Sequence, residues 1–152
     1  MGLFLDPGAT APRQTHPGDA YDLFAYSSVV PGGEEQLLSS KHSARIRPHR
    51  SLRIGTGVHF VFPIGFRGLI HGRSGLAFTS YVDVGPGYID NQYVGSLNVL
   101  LFNHGEDSYT VKQGDRIAQI SVERYWEPIF EKLTVLPATA RGGAGFGSSG
   151  LR

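Results

Sequence analysis

Cysteine is absent from the 152 residues, which removes disulfide frameworks, thiolate zinc sites and cysteine nucleophiles together. Charge imbalance is almost absent as well: 14 Lys and Arg stand against 13 Asp and Glu, a formal net charge of +1. No global field therefore draws the chain to nucleic acid or to a membrane surface, although 14 cations leave room for a local polyanion site. No apolar run approaches the ~18 residues of a membrane span, and residues 1–19 lack a basic stretch followed by an apolar one. The six histidines, His16, His42, His49, His59, His71 and His104, form no i, i+4 pair and no cluster that would suggest zinc. A helical apolar stripe sustained over several turns is missing, and so is any internal repeat. The expectation is a soluble, intracellular protein without direct nucleic-acid or membrane partners.

What the chain has in quantity is punctuation. Its 21 Gly and 9 Pro cut it into short pieces, and between the cuts apolar and polar residues alternate. Segments 51–54, 56–62, 66–71, 95–103, 109–112 and 116–125 read as strands, with 127–136 as a further one. In 95–103, Leu97, Val99 and Leu101 point one way while Asn98 and Leu100 point the other. A turn or two of helix is expected near Ser74. Many short strands with Gly/Pro turns predict an all-β sandwich, jelly roll or barrel. With 40% hydrophobic and 18% charged residues, the length suits one globular domain. That domain is expected over 1–136, followed by an arm at 137–152 almost without core-forming residues. A Gly-rich terminus ordinarily reads as a flexible tail. Arg141 and Phe146, however, give this one a cation and an aromatic, which suit a lid over an anionic, aromatic ligand.

Five segments carry more specific information: Asp19-Ala-Tyr-Asp-Leu23, Gly72-Arg-Ser-Gly-Leu-Ala77, Gly87-Tyr-Ile-Asp-Asn-Gln-Tyr-Val-Gly95, Gly114-Asp-Arg-Ile-Ala-Gln119 and Arg141-Gly-Gly-Ala-Gly-Phe-Gly-Ser-Ser-Gly150. In order, they resemble the five motifs of the trimeric dUTPase family. One alone would be weak; five in sequence over most of the chain are specific. The resemblance implies a jelly-roll-like subunit, a threefold homotrimer and three active sites at subunit junctions. It also implies hydrolysis of dUTP to dUMP and pyrophosphate with Mg2+, limiting uracil incorporation into DNA and supplying dUMP for thymidylate synthesis. Periodicity shows none of this.

Carried over motif by motif, the resemblance makes Asp90 the candidate base that orients and deprotonates the attacking water, in a reaction where positioning and charge neutralisation do most of the work. Outside such a motif, an aspartate in a Gly-bounded hairpin reads rather as the cap of a turn. The hairpin backbone at Gly87, Tyr88 and Ile89 would match uracil's carbonyl, N–H and carbonyl, and would leave cytosine's edge unpaired. Tyr93 would pack on the deoxyribose and exclude a 2′-hydroxyl, with Asn98 a weaker base or sugar contact. For the triphosphate the expected contacts are Arg73, Ser74 and Gly75 at the helical turn, Gln119, and Arg141, Gly147 and Ser148 of the arm, with Phe146 stacked on uracil. Arg116 is as well suited to an ion pair with Asp115 or another carboxylate. Asp22 is the expected carboxylate one water away from magnesium, or a structural brace of its loop.

The chain also departs from the family pattern. Gln92, Val94 and Ser96 stand where acidic, Arg or Gln, and polar residues are common; Val84 replaces a frequent asparagine; and Asp19-Ala20 occupies a place usually held by small residues ending in Gly. These touch the hairpin's finer contacts and the trimer interior. They leave Asp90, Tyr93, Arg73, Arg141 and Phe146 in place. Two other readings remain: a dCTP deaminase of the same fold, for which no matching glutamate base stands in the motifs, and a non-catalytic binding module, which would be expected to have lost Asp90 or the arm.

Overall fold

The computed structural model describes residues 1–29, 32–140 and 142–143. It is built from short antiparallel strands and one helix. In chain order they are β1 (Gly2–Leu5), β2 (Tyr21–Phe24), β3 (Ser27–Val29), β4 (Glu35–Leu37), β5 (Ala44–Ile46), β6 (Ser51–Gly55), β7 (Val58–Val61), β8 (Phe66–His71), α1 (Ser74–Ser80), β9 (Val82–Val84), β10 (Tyr88–Ile89), β11 (Asn98–Asn103), β12 (Tyr109–Val111) and β13 (Arg116–Arg124). A four-stranded sheet runs β10-β8-β13-β2 and a five-stranded one runs β4-β3-β6-β11-β9; β1-β7 and β12-β5 form two ribbons. Period-2 burial drives the layering. In β11, Val99, Leu101 and Asn103 are buried while their neighbours are only partly so. The inward residues of both sheets, Leu23, Ile54, Val99, Leu101, Ile117 and Ile120 among them, meet in one core.

The expected alternation of Leu97, Val99 and Leu101 against Asn98 and Leu100 holds, and the helix begins at Ser74. Several boundaries differ. The strand expected over 56–62 starts at Val58, because Gly57 takes a left-handed φ of 65° and the Thr56 hydroxyl donates to the Leu97 carbonyl. The strand expected from Gly95 starts at Asn98, since Ser96 is taken up by the preceding turn. Strands β1 to β5 and β9, each of three or four residues, were not among the expected ones.

The clearest correction concerns 127–136, which forms no strand. Its apolar residues face outward, with Ile129 99% and Phe130 89% exposed. Alternation creates a strand only where the segment meets an edge to pair with, and 127–136 pairs with none of the described strands of its own chain. No helix among the described residues is long and apolar enough to cross a membrane.

Candidate functional site

Strand β10 leads into the turn that carries Asp90. It pairs with β8 through Tyr88↔Leu69 and Ile89↔Gly68, so continuing the register sets Asp90 opposite Arg67. Gly87 precedes the pair because its carbonyl accepts from the Ile70 amide at 2.8 Å. At that approach a Cβ on residue 87 would run into the Ile70 carbonyl oxygen. After Asp90 the chain is pinned by Asn91, whose amide nitrogen donates to the carbonyls of Pro63 at 2.8 Å and Phe66 at 3.1 Å. The Tyr93 amide then donates to the Asp90 carbonyl at 3.1 Å, closing a turn that leaves the Asp90 side chain exposed.

Tyr93 is braced as a wall. Its hydroxyl donates to the Ser96 carbonyl at 2.9 Å, and the Asn98 amide donates to the same oxygen at 2.9 Å. The ring crosses Gly95 so closely that a Cβ there would sit 2.6 Å from the tyrosine oxygen. Asn98 thus spends its donor on the hairpin itself. Tyr88 is held from the side by Arg67, which donates to its hydroxyl at 2.7 Å and lies 4.7 Å from its ring centre.

A second cluster forms around Asp22, whose side chain is only 4% exposed. Arg116 donates to Oδ2 at 3.3 Å, and Gln119 donates to Oδ1 at 3.2 Å. The Arg73 Nε lies 3.3 Å from Oδ1, off the line of a hydrogen bond, while its Nη1 donates to the Arg116 carbonyl at 3.1 Å. A register shift between Arg116 and Ala118 brings Arg116 and Gln119 to one face, which their odd spacing would otherwise deny them. Beside this cluster Ser74 and Gly75 are exposed, with open space over Gly75. Nearby, burial and then the Asp115 charge push the Tyr109 hydroxyl up, with Arg73 pulling the other way.

The two clusters lie at opposite ends of one sheet. Gln119 pairs with both Asp22 and His71, at the end of β8; Asp90 stands at Arg67, near its start. Four residues of strand separate them, roughly 13 Å. Asp90, Tyr88, Ile89, Tyr93 and Asn98 therefore come together, and so do Asp22, Arg73, Ser74, Gly75 and Gln119; Gly87, against Ile70, lies between the two sets, while Asp90 itself stands apart from the second. Arg141, Phe146, Gly147 and Ser148 lie outside the described residues.

Sequence reasoning missed Asn91, Arg67 and His59. An asparagine after the candidate base gives no signal of its grip on the Pro63 and Phe66 carbonyls, and cross-strand partners become visible only once the register is known. Among the described residues no group of three His, Cys, Asp or Glu could by itself hold a metal. Asp22 is the one carboxylate of the second cluster, and three donors already engage or crowd it. A carboxylate offers about four lone-pair positions, so Asp22 keeps acceptor capacity beyond these donors.

The family model for dUTPase matches residues 37–150. The deoxyuridine 5′-triphosphate nucleotidohydrolase of Fowl adenovirus A serotype 1 is 41% identical over 149 residues, 97% of this chain and 75% of that protein. The enzyme of the same name from Rhodococcus erythropolis is 41% identical over 151 residues, 96% of this chain and 82% of that protein. Among solved structures, the Staphylococcus bacteriophage 80alpha dUTPase with dUpNHpp matches 99% of this chain and 98% of its own at 24% identity, with a TM-score of 0.81, which shows a shared fold.

Proposed function

The chain belongs to the dUTPase family, and we propose that it hydrolyses dUTP to dUMP and pyrophosphate at sites shared between subunits of a jelly-roll homotrimer. The observation that carries the shared site is the separation just described. A braced hairpin with a free carboxylate stands at one end of the sheet, and a cation-rich cluster with an open backbone stands at the other. A nucleoside triphosphate needs both within reach, and a second copy can supply the missing half. The outward apolar residues of 126–136, Trp126 at 85% exposure among them, support such an assembly, because apolar surface of that extent is normally covered.

In this reading the base lies in the hairpin, where backbone at Gly87, Tyr88 and Ile89 matches the uracil edge. Tyr93 faces the deoxyribose. Its hydroxyl is occupied by Ser96 and its ring is wedged over Gly95, so it cannot easily give way to a 2′-hydroxyl. Asp90 orients a water toward the α-phosphorus and takes its proton as the new P–O bond forms. The bond from that phosphorus to the bridging oxygen breaks, and pyrophosphate leaves. Ser74, Gly75, Gln119 and the outer edge of Arg73, from a neighbouring copy, hold the phosphates. Residues 1–136 form the β domain and 137–152 the arm, whose Arg141, Gly147 and Ser148 grip the far phosphates while Phe146 covers the uracil.

Magnesium fits as a metal held mainly by the triphosphate, and Asp22, which keeps acceptor capacity beyond its bonds to Arg116 and Gln119, would bond one of its waters. When bound, it neutralises charge on the phosphates. Pyrophosphate release from a panel of nucleotides with added Mg2+ tests the reaction: dUTP alone should turn over efficiently, and comparable release from dCTP, dTTP or UTP would refute the selectivity. Co-refolding Arg73→Ala chains with Asp90→Asn chains in equal amounts tests the shared site. Random assortment restores about a quarter of the sites, because one quarter combine an intact hairpin with an intact cluster. No recovery in verified mixed trimers would place both clusters of a site on one chain.

A further inference from the structure

His59, in β7, stands between the substrate hairpin and the N-terminal segment. Its Nδ1 lies 3.0 Å from the Val94 carbonyl oxygen, and its Nε2 lies 3.2 Å from the Asp6 carboxylate. Val94 sits between Tyr93, the sugar wall, and Gly95, over which that ring is wedged. Asp6 is itself fixed, its amide donating to the Gly57 carbonyl at 2.8 Å and its carbonyl accepting from Ala9 at 2.9 Å. The Phe4 ring packs edge-on against the imidazole with centroids 5.3 Å apart. Among the described residues, Asp6 is the one charged side chain within ion-pair distance of either ring nitrogen.

Both partners of this ring are acceptors without a proton to give. A neutral imidazole carries one N–H and can satisfy one of them; an imidazolium satisfies both. The charge-assisted bond to a carboxylate is stronger than a bond to a backbone carbonyl. When the ring loses a proton, the remaining N–H therefore stays with Asp6, and a lone pair turns toward Val94. We propose that His59 is a positioning residue for the substrate hairpin: protonated, it ties the Val94 carbonyl to the body of the subunit and steadies Tyr93, and on deprotonation it releases that tie. The inference rests on the hairpin being the uracil and sugar site.

The pH profile of affinity for a non-hydrolysable α,β-imido dUTP with Mg2+, taken by calorimetry from pH 5.5 to 8.5 on the full trimer, provides the test. Losing one such hydrogen bond should weaken wild-type binding roughly threefold to tenfold between the two ends of that pH range, beyond the change shared by all chains. His59→Asn places an amide where Nδ1 was and donates to Val94 at every pH, so its extra dependence should vanish with tight binding retained at pH 8. Asp6→Asn can donate to a neutral ring, which frees the single N–H for Val94; it too should lose the dependence, and it leaves β7 untouched should the first variant not fold. Profiles of both variants running parallel to wild type would overturn the inference alone. A wild-type chain that bound no analogue at any pH, or an Asp90→Asn chain turning over dUTP at the wild-type rate, would overturn the site reading and the inference with it.

Discussion

Replacing Asp22 by Asn removes the one anion that holds Arg73, Arg116 and Gln119 together. The amide cannot neutralise two guanidinium groups, and in either orientation its NH2 faces a donor. Breaking a fully buried pair costs about 3–5 kcal/mol, but here the partners are not equally buried. The Arg116 side chain is 47% exposed, so its share falls toward the ~0.5 kcal/mol of a surface pair. Arg73, at 21%, retains most of its share. A loss of about 2–3 kcal/mol follows, which for a chain of this length lowers the melting temperature by roughly 5–10 °C. Calorimetry at matched protein and nucleotide-free conditions reads it directly. The companion variant Arg116→Ala, which leaves Asp22 with Arg73 and Gln119, should cost less than about 1 kcal/mol. The same argument reaches function, because a freed Arg73 side chain has more orientations to lose on binding phosphate, so the KM for dUTP should rise as well. A melting temperature within 2 °C of wild type, or Arg116→Ala costing more than Asp22→Asn, would refute the reasoning.

The remaining predictions test single steps. Asp90→Asn should cut turnover by two orders of magnitude or more while leaving affinity for the non-hydrolysable analogue nearly unchanged; near-normal turnover removes Asp90 as the base. Tyr93→Ala should raise activity on UTP relative to dUTP, and an unchanged ratio in a folded variant excludes the ring from sugar selection. A chain ending at Thr139 should lose most turnover yet keep its melting temperature, because the deleted stretch contains almost no core-forming residue; a large fall in melting temperature would make the arm structural. Burial raises the Tyr109 hydroxyl, so the stability linked to it is complete below the ordinary tyrosine range and lost as pH climbs through the raised value. Tyr109→Phe should therefore flatten the alkaline fall in melting temperature above about pH 10, and an identical alkaline limb would argue against that linkage.

Strands were legible where their alternation was matched by an edge to pair with. β6, β8, β11 and β13 each find partners on both sides within the chain, and each was readable from sequence. The stretch 127–136 alternates as well, yet nothing described in the same chain pairs with it, and its apolar residues stand in solvent. Period 2 reports that a segment could be half-buried, not what buries it. A similar limit hid His59. Its two partners lie 53 and 35 residues away, one before β2 and one in the hairpin, and no local pattern links them.

The Asp22 cluster shows how a site can hide inside a strand whose existence is plain. Arg116 and Gln119 are three apart, so on an unbroken strand they face opposite sides. A reader of the sequence is then led to pair Arg116 with adjacent Asp115 and to send Gln119 alone toward the ligand. The structure shifts register between them, and both donate to Asp22. The trace of this lies in Ile117 and Ala118, two successive apolar residues that are both buried in a strand that otherwise tends to alternate. A regular strand buries one of such a pair and exposes the other; burying both requires an extra residue on one face. That extra residue turns the Arg116 guanidinium onto the carboxylate that also restrains Arg73. The cation closest to the open backbone of Ser74 and Gly75 is thereby oriented by a packing irregularity two residues long, and restoring a regular ladder there would dismantle the cluster without changing any residue that forms it.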